Sequence, residues 1–272
     1  MKRTVRAALD ESAAAVGATD ARALATHAWG VTRAWLAANP MHILTESQDA
    51  RLDLLVAQRA LGHPVAYLLG AREFWSREFA VGPDVLIPRP ETETLVEAAL
   101  ARFCGAASVC DLGTGSGAIA VTLACERPEA RVIATDRSAA ALAVARENAA
   151  RHGAPVEFRE GPWYAPLAGE TFDVLVSNPP YVAAADPHLG EGDLRFEPRI
   201  ALTDGSADGL DSLREIIAGA PAHLKSGGWI LIEHGYDQAE ACRALLDAAG
   251  FADPVSIADL AGIPRVAVGR LE

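Results

Sequence analysis

No apolar run in this chain approaches the length of a membrane span. The longest, such as 229–232 and 174–176, fall far below the ~18 residues a spanning helix needs, and a transmembrane protein is excluded. The opening Met1-Lys2-Arg3 has the basic character of a secretory leader, but Asp10 and Glu11 interrupt what would be its apolar core. Secretion is therefore rejected and a cytoplasmic protein is expected. Cysteine is scarce. Cys104, Cys110, Cys125 and Cys242 include no C-x-x-C pair and have no histidine company, which disfavours a zinc site or a disulfide framework and suits a reducing compartment. No metal is expected, and all four read as small buried hydrophobes. Basic charge is short as well: 24 Lys and Arg stand against 36 Asp and Glu, a net charge of −12. Nine basic and nine acidic residues balance within 1–85, so the whole acidic excess lies in 86–272. With no basic cluster to neutralise phosphates, direct nucleic-acid binding is disfavoured. What remains is ordinary globular usage, 50% hydrophobic and 22% charged over 272 residues, enough for one large domain or two.

The first 60 or so residues carry a helical period. Val5, Ala8, Leu9, Ala13 and Val16 share one face, Leu24, Ala28, Val31 and Trp35 repeat at four, three and four, and Leu52, Leu55 and Val56 follow Ser47 as an expected N-cap. Asn39-Pro40 and Gly62-His63-Pro64 break the pattern. A small helical bundle is expected over 1–70, with Trp29 and Trp35 in its core. Over 71–87 the period shortens: Phe74-Trp75, Phe79-Ala80-Val81 and Val85-Leu86-Ile87 are β-like runs, predicting a hairpin linker. Pro88-Arg89-Pro90 then interrupts, and Glu91-Thr92-Glu93 opens a helix.

From 88 to 272 apolar strands and helices alternate. Strands are predicted at 108–112, 131–136, 156–160, 172–177 and 228–234, and helices at 118–127, 139–151, 210–224 and 238–249. Such alternation predicts an α/β domain with a mostly parallel sheet and helices on both faces. The runs 254–257 and 265–271 have no helix between them, so they pair antiparallel at the end of the sheet.

The chemistry-bearing segments lie at strand ends. Asp111-Leu112-Gly113-Thr114-Gly115-Ser116-Gly117-Ala118 joins the first of these strands to a helix, and Asp136 ends the next strand. A glycine loop in that context admits a ligand close to the backbone, and a carboxylate at the second strand suits a ribose. The pattern satisfies both the dinucleotide fingerprint G-x-G-x-x-A and the D-x-G-x-G-x-G loop of S-adenosylmethionine-dependent methyltransferases. Asp111 favours the second, since a carboxylate entering the loop repels a pyrophosphate and attracts an ammonium or sulfonium group. Ser177-Asn178-Pro179-Pro180-Tyr181 follows the strand 172–177. Two amide carbonyls, from the Asn178 side chain and the Pro179 backbone, can hold the two N–H groups of a planar nitrogen, while Tyr181 offers a flat face. An amide or aryl amine is a weak nucleophile that needs orientation more than a base.

Together these segments resemble the peptide-chain release factor glutamine N5-methyltransferases of the PrmC/HemK type. The resemblance extends to Tyr67-Leu68-Leu69-Gly70, Glu73-Phe74-Trp75, Leu86-Ile87-Pro88-Arg89-Pro90-Glu91-Thr92-Glu93, Asp193-Leu194-Arg195-Phe196-Glu197-Pro198 and Leu231-Ile232-Glu233-His234-Gly235, and covers nearly the whole chain. It implies a helical docking domain (1–70), a hairpin linker (71–87) and a class I, Rossmann-like methyltransferase domain (88–272) with a seven-stranded sheet whose last strand is antiparallel. It implies S-adenosylmethionine as cofactor, leaving S-adenosylhomocysteine, and as partner a class 1 release factor methylated at the glutamine of its Gly-Gly-Gln motif. A monomer is expected. By position, Asp111, Gly113, Thr114, Gly115, Ser116, Gly117, Asp136, Trp163 and Asn178 belong to the cofactor site, Trp163 beside the adenine. Asn178, Pro179, Pro180 and Tyr181 hold the glutamine, with Asn178, Pro179 and Tyr181 serving catalysis, and 89–92 lies near the cofactor. One departure stands out: Pro162 occupies the position where the family often has an Asp before the tryptophan.

Three other readings compete. Glutamine methyltransferases acting on a ribosomal protein typically carry Ser-Pro-Ile where this chain has Pro90-Glu91-Thr92. DNA or RNA amine methyltransferases share the Asn-Pro-Pro-Tyr segment, but the acidic balance and the lack of a target-recognition domain oppose them. A non-catalytic binding module is opposed by the intact loop, Asp136 and tetrapeptide. Glu233-His234 reads either as an acid/base pair or, more ordinarily, as a strand-end histidine with a structural hydrogen bond. His188 and His223 have no ligand-like company. Phe196 is expected to pack in a loop near the substrate mouth.

Overall fold

The computed structural model describes residues 3–272; Met1 and Lys2, where the leader reading begins, lie outside the described residues. The chain divides into two compact units, Met1–Ala71 and Arg72–Glu272.

The first unit contains α1 (Val5–Val16), α2 (Ala18–Trp29), α3 (Arg33–Ala38), α4 (Glu46–Ala60) and α5 (Val65–Leu69). Its helices start where side chains satisfy the free amides of a first turn. Thr4 accepts from Ala7 N and Thr32 from Trp35 N. Helix α4 is capped by Thr45, not by Ser47 as the sequence suggested: Thr45 and Gln48 form a reciprocal capping box, which uses two amides where a lone serine would use one. Val5, Ala8, Leu24, Ala28, Leu36 and Leu52 form the core. Trp29 is buried with them, its indole donating to the Gln48 carbonyl at 3.0 Å, while Trp35 is half-buried against the edge of His42.

A hairpin follows, β1 (Ala71–Phe74) and β2 (Arg77–Ala80). Its two-residue turn is Trp75-Ser76, with φ of 52° and 56°, the primed geometry that matches strand twist without the usual glycine. The third β-like run, Val85-Leu86-Ile87, forms no strand. The Ile87 amide is bound by the Glu197 carboxylate at 2.9 Å instead of by a neighbouring strand.

The remaining elements are α6 (Glu93–Leu100), β3 (Ser108–Leu112), α7 (Ala118–Glu126), β4 (Arg131–Asp136), α8 (Ala139–His152), β5 (Val156–Glu160), β6 (Phe172–Ser177), α9 (Arg199–Leu202), α10 (Asp211–Gly219), β7 (Leu224–Glu233), α11 (Ala239–Ala248), β8 (Phe251–Ala258) and β9 (Pro264–Leu271). Among the described residues seven strands form one sheet, ordered β5-β4-β3-β6-β7-β9-β8. All neighbours are parallel except β9, which runs antiparallel between β7 and β8. The last strand therefore enters the sheet and leaves β8 at its edge. Strand β7 begins at Leu224, four residues before the expected start, because the helix of 210–224 ends at Gly219 and a single 3₁₀ turn holding Pro221 follows; proline tolerates a first turn but not a helix interior.

Alternate residues of each strand feed opposite cores. Val109, Val132, Val174 and Leu231 pack on one face and Cys110, Ile133, Leu175 and Ile230 on the other. Both faces are dry, which explains strands that read as continuous apolar runs. Cys110 and Cys242 are buried, as a small-hydrophobe reading requires, but Cys125 is half-buried and Cys104 is exposed on the turn after α6. The chain builds β3-β4-β5 in one direction and then returns to place β6 on the other side of β3. Ligands of open α/β sheets lie outside the carboxyl ends of the strands at such a reversal. Among the described residues no helix is long and apolar enough to cross a membrane.

Candidate active site

A cavity of about 590 Å³ opens at this reversal. Gly113, Thr114, Gly115 and Ser116 form one wall, Asp136 and Trp163 a second, and Asn178 and Pro180 a third, with Arg89 and Thr92 beside them.

The loop after β3 is shaped by its backbone. The Gly113 and Thr114 amides both donate to the Thr135 carbonyl at 2.9 Å. Gly115 has a φ of +55°, and its missing Cβ would point into open space. Gly117 lies under the loop rather than on the cavity wall, where an added Cβ would come within 3.1 Å of Ala145 on α8. Asp111 is fully buried beneath the loop. Its Oδ2 accepts the Thr114 hydroxyl at 2.6 Å, and its Oδ1 has no hydrogen-bond partner among the described residues.

Asp136 ends β4 with both oxygens engaged: Oδ2 accepts from the Gly115 amide at 2.8 Å and Oδ1 from the Ser138 amide at 2.9 Å. Burial pushes its carboxyl above the usual range while those amides oppose the shift. Each oxygen retains acceptor capacity toward the cavity. Trp163 sits at a φ of 42°, unusual for a bulky residue. Its carbonyl accepts the Thr135 hydroxyl at 3.0 Å and its indole N–H donates to Glu215 on α10 at 3.1 Å. A Cβ at Gly113 would lie 2.9 Å from the Trp163 ring, so glycine there is what lets the ring close on the loop.

The tetrapeptide after β6 is anchored by Ser177, whose hydroxyl donates to the Leu112 carbonyl at 2.6 Å and ties the ends of β3 and β6 together. The Asn178 Nδ2 donates to the Thr92 hydroxyl at 3.1 Å. Pro179 is buried and does not line the cavity. Tyr181 departs from the stacking role expected of it. Its ring packs against the core that holds Leu175 and Ile230, its hydroxyl donates to Glu233 at 3.1 Å, and it is not among the cavity-lining residues. Desolvation, reinforced by the nearby Glu233 charge, pushes the phenol well up.

Three site-building residues, Asn148, Glu197 and Glu215, have no role assigned from the sequence, and Glu233 reads there only as half of an acid/base pair. Asn148, fully buried on α8, donates to the carbonyls of Ser116 and Ala80 and accepts from the Ala80 amide. Glu197 pairs with Arg89 and holds the Ile87 amide, joining two segments that carry the family resemblance. Glu215 holds Trp163. Glu233 sits between Tyr181 and Thr92. His234, its sequence neighbour, is buried and bonded to the Gly235 carbonyl at 2.8 Å and the Ser256 hydroxyl at 3.0 Å, which makes it the structural histidine of the two readings.

Burial raises the carboxyls of Asp111 and Glu233 to about 7. The folded chain then keeps protons that the unfolded chain has released, so both groups contribute stability that is complete below their ordinary range and lost as pH rises toward 7. His234, held neutral by burial, acts in the opposite sense below its ordinary value. The contribution of Glu233 is isolated by comparison with Glu233→Gln. Relative to wild type, the variant should gain roughly 2–3 kcal/mol between pH 5 and 8, read from denaturant midpoints at each pH. Parallel curves would remove the assigned shift.

Comparison with known proteins follows this division of the chain. The PrmC N-terminal domain family matches residues 3–70 and the methyltransferase small domain family residues 90–190. A release factor glutamine methyltransferase of Burkholderia pseudomallei is 58% identical over 95% of this chain and 94% of that protein, and one from Xylella fastidiosa is 55% identical over 92% of each. The chain belongs to the release factor glutamine methyltransferase family. The fold of this family member is also that of more distant solved methyltransferases. One from Pyrococcus furiosus has a TM-score of 0.54 at 17% identity, covering 79% of this chain and 96% of that one. A 16S rRNA N2 G1207 methyltransferase of T. thermophilus has a TM-score of 0.55 at 19% identity, covering 74% and 50%.

Proposed function

We propose that this protein methylates the N5 side-chain amide nitrogen of the glutamine in the Gly-Gly-Gln motif of class 1 release factors, acting as a cytoplasmic monomer with the helical unit docking the release factor. The observation that carries the reading is the placement of Asn178 on the wall of the same cavity as the glycine loop and Asp136. The high identity to proteins named for this activity supports it.

The cavity's residues fit S-adenosylmethionine. Asp111 is buried beneath the loop, where it holds Thr114 and shapes the wall without itself lining the cavity. Gly115 leaves the loop open, and Asp136 retains acceptors suited to ribose hydroxyls. Trp163 and Pro162 both face the cavity and offer apolar surface to an adenine, with Glu215 beside them in place of the missing Asp. When bound, the cofactor supplies an electrophilic methyl group. The chain's task is to present the amide nitrogen. Asn178 Oδ1, freed for the cavity because Nδ2 is spent on Thr92, accepts one N–H. The second acceptor, which the family resemblance gives to the Pro179 carbonyl, would require the substrate to reach past the cavity wall, since Pro179 itself is buried behind it. No base need act before transfer, since the proton leaves only after the nitrogen has become cationic.

The test is transfer of labelled methyl groups to a class 1 release factor, a ribosomal protein and an oligonucleotide in parallel. Label should appear on the release factor and vanish when its Gly-Gly-Gln glutamine is replaced. Preferential labelling of either other acceptor would overturn the substrate assignment. In the same preparation, Asp136→Ala should weaken S-adenosylmethionine binding by ~1.5–3 kcal/mol, as loss of a hydrogen bond to a charged group does. Unchanged affinity by calorimetry would count against the ribose role.

A further inference from the structure

The sequence motif explains why an asparagine stands at the cavity, but not why its amide faces one way rather than the other. A carboxamide is nearly symmetrical in shape and carries opposite hydrogen-bonding character at its two ends. Turned by half a rotation, Asn178 would present N–H groups to the N–H groups of an incoming amide, and the two would repel.

Thr92 and Glu233 break that symmetry. Thr92 is 4% exposed and ends the short turn that opens α6. Its Oγ1 receives the Asn178 Nδ2 at 3.1 Å. Glu233 is 1% exposed at the end of β7. Its Oε1 accepts from Tyr181, and its Oε2 is buried with no hydrogen-bond partner among the described residues. The Thr92 side chain is a neighbouring donor that favours the charged carboxylate. A hydroxyl has one proton to give. Once Glu233 has lost its own proton, above the value of about 7 to which burial raises it, leaving its buried oxygen without a donor is costly, and the Thr92 proton is drawn to it. What Thr92 then offers Asn178 is a lone pair, and only the NH₂ end of the amide can answer it.

We propose that Thr92, backed by the buried Glu233 carboxylate, is a positioning residue that fixes the Asn178 amide with its oxygen toward the substrate. The inference rests on the role given to Asn178 above. It extends that role to a chain of four side chains, Tyr181, Glu233, Thr92 and Asn178, contributed by three separate segments of the domain.

The experiment is single-turnover methylation of release factor at saturating S-adenosylmethionine, with cofactor affinity and melting temperature measured on each variant. Thr92→Val keeps the shape and removes the hydroxyl, while Thr92→Ser keeps the hydroxyl and removes the methyl group. Thr92→Val should lower the rate roughly tenfold or more, since small misplacements of a positioning group cost this much, with cofactor affinity nearly unchanged and a melting temperature lowered by only a few degrees, as loss of the donor beside a buried carboxylate requires. Thr92→Ser should retain most of the rate. In the Asn178→Ala background, Thr92→Val should cost less than about twofold further, because residues acting through one another are non-additive. A Thr92→Val rate within twofold of wild type, beside a severe Asn178→Ala, overturns the positioning role alone. So does an equal further loss in the double variant, or a serine no better than valine. A near-normal rate for Asn178→Ala instead overturns the reading of Asn178 on which the inference stands.

Discussion

Asn178→Ala should lower the methyl-transfer rate by roughly 10²-fold or more while leaving cofactor affinity close to wild type, the scale seen when one positioned transition-state hydrogen bond is deleted. An amide oxygen does not take up a proton near neutral pH, so the loss reports orientation and not base catalysis. Affinity is spared because the loop from Gly113 to Ser116 and Asp136 hold their shape through bonds that do not involve Asn178. Single-turnover methylation at saturating cofactor, paired with calorimetric titration, separates the two quantities. A near-normal rate would reduce Asn178-Pro179-Pro180 to a rigid turn. A parallel collapse of affinity would place Asn178 with the cofactor instead of the glutamine.

Gly209→Ala should be among the most destabilising single changes in the catalytic unit. The residue has a φ of +70°, and an added Cβ would fall 2.2 Å from the Tyr181 carbonyl oxygen and 3.0 Å from the Ala183 amide nitrogen. These are backbone atoms with no rotamer to yield. The same carbonyl receives the Gln238 side chain at 3.0 Å, and that amide also bonds the Asp208 carbonyl at 3.2 Å, so the segment after the tetrapeptide is clamped from two sides. Overpacking and a left-handed alanine together cost roughly 3 kcal/mol. For a unit of this size that is about 6–12 °C in melting temperature, and the rate should fall with it as the Tyr181 backbone is displaced. An unchanged midpoint would mean that the 208–210 turn relaxes freely.

Much of this architecture was legible because its determinants are local. Strands β3, β4 and β6 have the ends their apolar runs predict, since each is buried on both faces; β5, a half-exposed edge strand, also has its predicted ends and stops before Gly161. The order of strands at the far edge was legible only in part. Antiparallel pairing of the last two runs follows from their short connection, but nothing in either run says that β9 and not β8 meets β7. At the site, Gly115, Asp136 and Asn178 stand on the cavity wall where strand-end logic puts them. Tyr181 was misjudged because its partner, Glu233, lies 52 residues away, and no spacing rule joins the two. The same holds for Asn148 and Glu197. Each is a polar residue whose burial is sensible only once distant backbone amides have been brought to it.

Asn148 has a consequence for how the molecule opens. One carboxamide closes the free edge of the β1–β2 hairpin at Ala80 and grips the glycine loop at Ser116. Neither segment can swing away without stranding a fully buried amide, and the penalty falls on both. The hairpin's outer edge and the loop thus belong to one cooperative opening unit, and whatever steadies the loop also protects an amide in the hairpin that it never touches.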